Sequence, residues 1–227
     1  QHFETILPKA ERNARGQDKE AKSRLEILKK CQSHLAEEKP IRTLDLIDTE
    51  RAAIKELGLL SAKPILYVAN IDEADLEGTG ELVTKVREAA SSVQAHVVAV
   101  CAKLEAELAE LDHGDRLEML SDVGLREPAL AVLARASYTT LGLQSFFTAG
   151  EKEVRAWTVP IGATAPQAAG VIHTDFEKGF IRAEIHSVED LESLGSEKEI
   201  RAAGKLRIEG KEYVMQDGDV CHFLCNR

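Results

Sequence analysis

The hydrophobic positions change their spacing twice along the 227 residues, and each change predicts a different architecture. From Lys19 to Glu38 the residues Ala21, Leu25, Leu28, Gln32 and Leu35 recur at alternating spacings of four and three. That period describes a coiled-coil seam with one polar position. An earlier run with Phe3, Ile6, Leu7 and Ala10 predicts a second helix. Arg15-Gly16-Gln17-Asp18 then reads as the turn between them, with Asp18 as N-cap. Lys39-Pro40 ends the hairpin because the residue before proline is pushed out of helical geometry. Thr49 to Leu60 offers a further helix with Thr49 as its cap.

At Pro64 the pattern becomes short, continuous apolar runs. Ile65–Ala69 and His96–Val100 read as strands buried on both faces, separated by a helix over Glu81–Ser92 and followed by one from about Leu104. Strand, helix, strand, helix implies a parallel sheet, and ligands of such sheets bind beyond the carboxyl ends of the strands. Asn70-Ile71-Asp72-Glu73 and Cys101-Ala102-Lys103 both fall there. Residues 105–145 are helical, with Asp115 and Pro128 as starts. From Phe146 short strands and glycine turns take over: Val154–Val159, Gly179–Ile185, Glu212–Met215 and Asp219–Leu224, with helices over Ser187–Leu194 and Ser196–Ala203. About 75 such residues suffice for a β-grasp-like module, so the expected class is α/β joined to α+β.

Composition narrows the function classes. The chain is 44% hydrophobic and 30% charged, as in soluble globular proteins. No stretch approaches the roughly 20 apolar residues that span a bilayer, and no signal peptide precedes the helices. With Gln1 rather than Met in first place, the chain reads as a cytoplasmic, soluble portion of something longer. The net charge of −10 is uneven: 12 basic against 11 acidic residues in 1–62, 7 against 14 in 63–148, and 10 against 14 in 149–227. Binding nucleic acid mainly by counterion release needs a basic excess that is not there. Lys178, Arg182, Phe176 and Phe180 make the one basic and aromatic patch suited to RNA, although alternation would put both phenylalanines in the core. His173-Thr174-Asp175 has no third ligand at useful spacing and reads as a surface loop. Cys31, Cys101, Cys221 and Cys225 match no zinc spacing and read as free thiols.

Asn70-x-x-Glu73 after a strand is a base-recognition candidate, because an amide can brace loops and meet a purine edge while a carboxylate accepts from base nitrogens. The guanine-binding signature of ordinary GTPases is Asn-Lys-x-Asp. Here Ile71 replaces the stacking lysine and Glu73 the aspartate, so that clamp is broken. Ala102 stands where a backbone amide would meet the base. The 227 residues contain no Gly-x-x-x-x-Gly-Lys-Ser/Thr phosphate loop, so this chain by itself is expected to be inactive in phosphoryl transfer.

Several segments resemble the YchF/Obg-like ATPase family: Ala62–Asn70, Phe146–Gly150, Lys152–Thr158, Gly162–Gly170, His173–Glu184, Asp217–Val220 and Phe223-Leu224. The resemblance implies a helical coiled-coil arm over 1–62, a partial parallel-sheet P-loop NTPase (G) domain over 63–145, and a β-grasp TGS domain over 146–227. It places the family's Asn-x-x-Glu element on Asn70 and Glu73, with Ile71 against the base and Ala102 offering its backbone. It implies ATP and Mg²⁺ as cofactors, with phosphate and metal ligands upstream of Gln1. The partners it implies are the ribosome and its subunits, with rRNA or tRNA reached through the TGS domain, and no membrane. Two alternatives stay open at this point: a nucleotide-independent RNA or protein adaptor, and a GTPase of the wider Obg class, which Ile71 and Glu73 disfavour.

Overall fold

A computed structural model describes residues 2–16, 18–150 and 153–226. The expectations touching Gln1, the turn residue Gln17 and Lys152 of the Lys152–Thr158 segment lie outside the described residues. The chain divides into two compact units, Gln1–Ala136 and Ser137–Arg227.

In the first unit, α1 (His2–Asn13) and α2 (Lys19–Ala36) form the hairpin. Asp18 caps α2 by accepting from the amides of Glu20 and Ala21. The buried stripe of α2 matches the expected seam only in part. It runs through Ile27, Leu28 and Cys31, while Ala21, Leu25 and Leu35 are half-buried and Gln32 is exposed. The reason is that α2 packs against two partners. Phe3 and Leu7 of α1 meet it on one side, and the segment carrying Ile41, Leu46 and Ile54 meets it on the other. A helix so placed needs a broader apolar face than a two-helix seam.

The third helix, α3 (Asp48–Lys55), starts one residue before Thr49 and ends well before Leu60. Its start is held by Glu50, whose carboxylate accepts from the Ile47 amide at 3.0 Å. Strands β1 (Leu66–Asn70) and β2 (His96–Val100) pair in parallel, from Leu66 opposite His96 to Asn70 opposite Val100. They flank α4 (Glu81–Ser92). The expected burial of β1 on both faces is not observed: Tyr67 is 41% exposed and Val68 51%. An apolar run becomes buried only where neighbours cover it, and β2 is the one strand paired to β1 among the described residues. The helices α5 (Ala102–Glu110) and α6 (His113–Asp122) follow. Asp112 caps α6 through the amides of Gly114 and Asp115, so the start lies ahead of Asp115. The helix after Pro128, α7 (Ala129–Leu141), runs across the boundary between the units.

The second unit is a five-stranded mixed sheet in the order β4-β3-β7-β5-β6. Its strands are β3 (Leu143–Ala149), β4 (Val154–Pro160), β5 (Phe180–Ser187), β6 (Arg207–Glu209) and β7 (Asp219–Cys225). β3 runs parallel to β7 at the centre, and the other pairs are antiparallel. α8 (Ala165–Ile172) lies on this core through Ala165, Ala168 and Ala169, each 0% exposed. Three alanines let the helix backbone approach the sheet closely.

Glu212–Met215, expected as a strand, makes only an isolated bridge between Val214 and Thr164, and the edge strand is β6 instead. Residues 174–178 form a short helix, α9 (Thr174–Lys178), for which His173 Nδ1 accepts from the Asp175 amide at 3.2 Å. Strand alternation therefore does not hold across it: Phe180 is buried at 3% and Phe176 is 40% exposed. Helices α10 (Val188–Leu194) and α11 (Glu197–Ala202) complete the unit. All four cysteines are free, with Cys221 buried and Cys225 the last residue of β7.

Candidate functional site

The parallel register sets the ends of β1 and β2 side by side, Asn70 opposite Val100, so the two loops that leave them must meet. The Ile71 amide donates to the Val100 carbonyl at 2.9 Å, which extends the ladder one residue into the loop. The amide of Ala102, first residue of α5, has no partner within its own helix. The Asn70 side chain supplies one: its Oδ1 accepts from Ala102 at 3.1 Å. One residue on, Lys103 Nζ lies 3.0 and 3.1 Å from the two oxygens of Glu73. The hydrogen bond to Glu73 raises the Lys103 pKa above its ordinary value.

The structure thus brings Asn70, Glu73 and Ala102 into one cluster. Ile71 turns elsewhere: it is half-buried against Cys101, Leu104, Leu108 and Leu120, and it also lines a cleft of about 740 Å³ shared with Asn70, Asp72, Asp75 and the start of α4. Sequence reasoning named Lys103 only as part of a loop and missed its pairing with Glu73. No local signal marks a contact between residues 30 positions apart.

The loop after Glu73 is held by a device that the sequence reading also missed. Asp75 accepts from the amides of Thr79 at 2.9 Å and Gly80 at 2.9 and 3.0 Å. Gly78 has φ +63°, and a Cβ there would stand 2.6 Å from the Cβ of Ala99 on β2. Gly78→Ala is therefore expected to lower the stability of the first unit by about 2 kcal/mol, through backbone strain and a steric clash with a rigid strand. Urea unfolding followed by far-ultraviolet circular dichroism checks this. An unchanged helical transition would mean that the loop relaxes without cost.

Among the described residues no group of three or more His, Cys, Asp or Glu side chains could hold a metal ion. No described helix is long and apolar enough to cross a membrane.

A parallel strand pair with joined carboxyl-end loops, and a separate mixed sheet with helices, define a mixed α/β protein. The family described as YchF-GTPase_C, a protein of unknown function (DUF933), matches residues 143–226. The chain is 49% identical over 223 residues to the ribosome-binding ATPase YchF of Escherichia coli O157:H7, covering 98% of this chain and 61% of that protein. It is 47% identical over 226 residues to the protein of the same name from Bacillus subtilis, covering 98% and 62%. The structure of the Schizosaccharomyces pombe YchF GTPase matches with a TM-score of 0.84 and 34% identity over 98% of this chain and 61% of that one. A GTP-binding protein from Pyrococcus horikoshii OT3 matches at a TM-score of 0.51 and 18% identity, a likeness of fold alone. Over 98% of its length the chain is similar to YchF proteins, and it spans 61% of the length of the Escherichia coli relative.

Proposed function

We propose that this chain is the base-binding and partner-contacting portion of a ribosome-associated, ATP-binding and ATP-hydrolysing translation factor of the cytoplasm. The observation that carries the reading is the Asn70–Ala102 hydrogen bond at the carboxyl ends of two adjacent parallel strands, with Glu73 beside it. A side chain that joins the loops of neighbouring strands fixes a rim at the place where α/β sheets receive ligands. On this reading residues 1–62 are a helical coiled-coil arm, 63–145 part of a G domain, and 146–227 a TGS domain of β-grasp type. The arm and the TGS domain would meet the ribosome or its subunits, with rRNA or tRNA reached through the TGS domain. Asn70 and Ala102 would brace the base pocket, Ile71 would lie against the base, and Glu73 would stand at the base edge.

Hydrolysis would belong to the whole protein, because these 227 residues contain no phosphate loop. Mg²⁺ with ATP would act on phosphates held by other residues, and this chain alone is expected to be inactive. The open side of β1, with Tyr67 and Val68 exposed, agrees with a sheet completed by further strands.

The test is equilibrium binding of a ribose-labelled fluorescent ADP to the complete gene product. Asn70→Ala should weaken binding by about ten-fold, because it frees the Ala102 amide and unties the two loops. Binding that is indifferent to Asn70→Ala would sink the nucleotide reading and leave the adaptor alternative, which co-sedimentation with ribosomes in the absence of nucleotide would then support.

A further inference from the structure

Adenine and guanine share N7 as an acceptor and differ at position 6, which is an amino donor in adenine and a carbonyl acceptor in guanine. Guanine adds donors at N1 and at its 2-amino group. A guanine-selective site therefore needs a free amide for O6 and a carboxylate with both oxygens open to N1–H and N2–H. Neither is available in this structure. The Ala102 amide is already committed to Asn70 Oδ1 at 3.1 Å. A backbone amide only donates, so the Asn70 side-chain oxygen must face it and the side-chain NH₂ points away, free for the N7 that both purines carry. The two oxygens of Glu73 both face Lys103 Nζ, at 3.0 and 3.1 Å.

Resting on the reading of these loops as a purine site, we propose that Lys103 is a specificity-determining positioning residue that engages Glu73 and so withholds its carboxylate from the guanine edge. The ion pair is exposed, with side-chain exposures of 69% and 44%, so it adds little to folding. Its consequence is competitive. Guanine must displace a cation to use the carboxylate in bidentate fashion, whereas adenine has no N1–H or 2-amino group to offer it. The chain thus has two obstacles to guanine, one at O6 and one at N1 and N2, and Lys103 makes the second.

The experiment measures equilibrium binding of ribose-labelled ADP and GDP to the complete gene product and to its variants. Lys103→Ala should raise GDP affinity relative to ADP by about five-fold. Lys103→Arg, which can hold the same carboxylate, should keep the wild-type ratio. In the Glu73→Ala background, Lys103→Ala should no longer move the ratio, because the group it governs is gone. A ratio that shifts by less than about two-fold in Lys103→Ala, or shifts equally with and without Glu73, overturns the proposal. The Asn70→Ala protein separates this failure from that of the site itself. If Asn70→Ala weakens both nucleotides while Lys103→Ala leaves their ratio unchanged, only the role of Lys103 falls. If neither nucleotide responds to Asn70→Ala, the purine site falls and this proposal with it.

Discussion

Phe146→Ala is expected to cost the second unit about 4 kcal/mol, the largest single effect in the molecule. Phe146 is 0% exposed at the centre of the five-stranded sheet. Its ring stacks on Trp157 at 6.5 Å and meets Phe223 edge-on at 5.8 Å, and Val159, Ala168 and Ile185 belong to the same core. The loss has two parts: the transfer energy of a whole aromatic side chain, and a cavity that two rigid strands cannot collapse to fill. A unit of this size is stable by roughly 5–14 kcal/mol, so one ring accounts for a large share. Trp157 is the only tryptophan and packs half-buried against this core, so its emission reports the second unit specifically. The urea midpoint of that emission should fall by about 1–4 M, and Phe146→Leu should recover most of it. A midpoint unchanged by Phe146→Ala would mean that the sheet is held by something other than this cluster.

Asp219→Ala is the second. Asp219 is 2% exposed, and its oxygens accept from Arg207 at 3.0 Å, from the Tyr213 hydroxyl at 2.9 Å and from the Gln216 amide at 2.9 Å. Burial pushes the Tyr213 hydroxyl up to about 12, so it stays protonated and donates to Asp219 across the ordinary pH range. Removing the carboxylate strands three donors at once. Breaking a fully buried ion pair costs about 3–5 kcal/mol, but the Arg207 side chain is 38% exposed and can turn to water. The expected cost is therefore about 3 kcal/mol, at the lower end. Asp219→Asn keeps the shape and one acceptor, so it should lose about half as much. Trp157 emission in urea again gives the answer. Equal losses for the two substitutions would show that shape, not charge, holds this corner together.

The names of the relatives differ in the nucleotide they imply. The Escherichia coli and Bacillus subtilis proteins are called ATPases, and the Schizosaccharomyces pombe structure is called a GTPase.

Much of this protein was legible in its residues alone. Glu81–Ser92 and His96–Val100 stand as the periodicity predicted, because a helix and a short apolar strand bounded by polar turns are set by local spacing. Asp18 caps α2 for the same reason: an N-cap needs only its own next three residues. The candidate loops were also legible, since strand ends in a parallel sheet can be counted from sequence. Readings that depended on partners far along the chain failed. Gln32 left the expected seam because α2 packs on two sides. Phe176 and Phe180 parted because Phe176 lies in a short helix that ends before β5 begins at Phe180. Residues 212–215 did not become a strand, and Arg207–Glu209 pairs with β5 instead. At the site, residue identity alone marked Asn70 and Glu73, but only the tertiary structure gave Oδ1 to Ala102 and both Glu73 oxygens to Lys103. The physical reason is the same throughout: local geometry is decided by neighbours in sequence, whereas burial and hydrogen-bond partnership are decided by which distant segments the fold brings within reach.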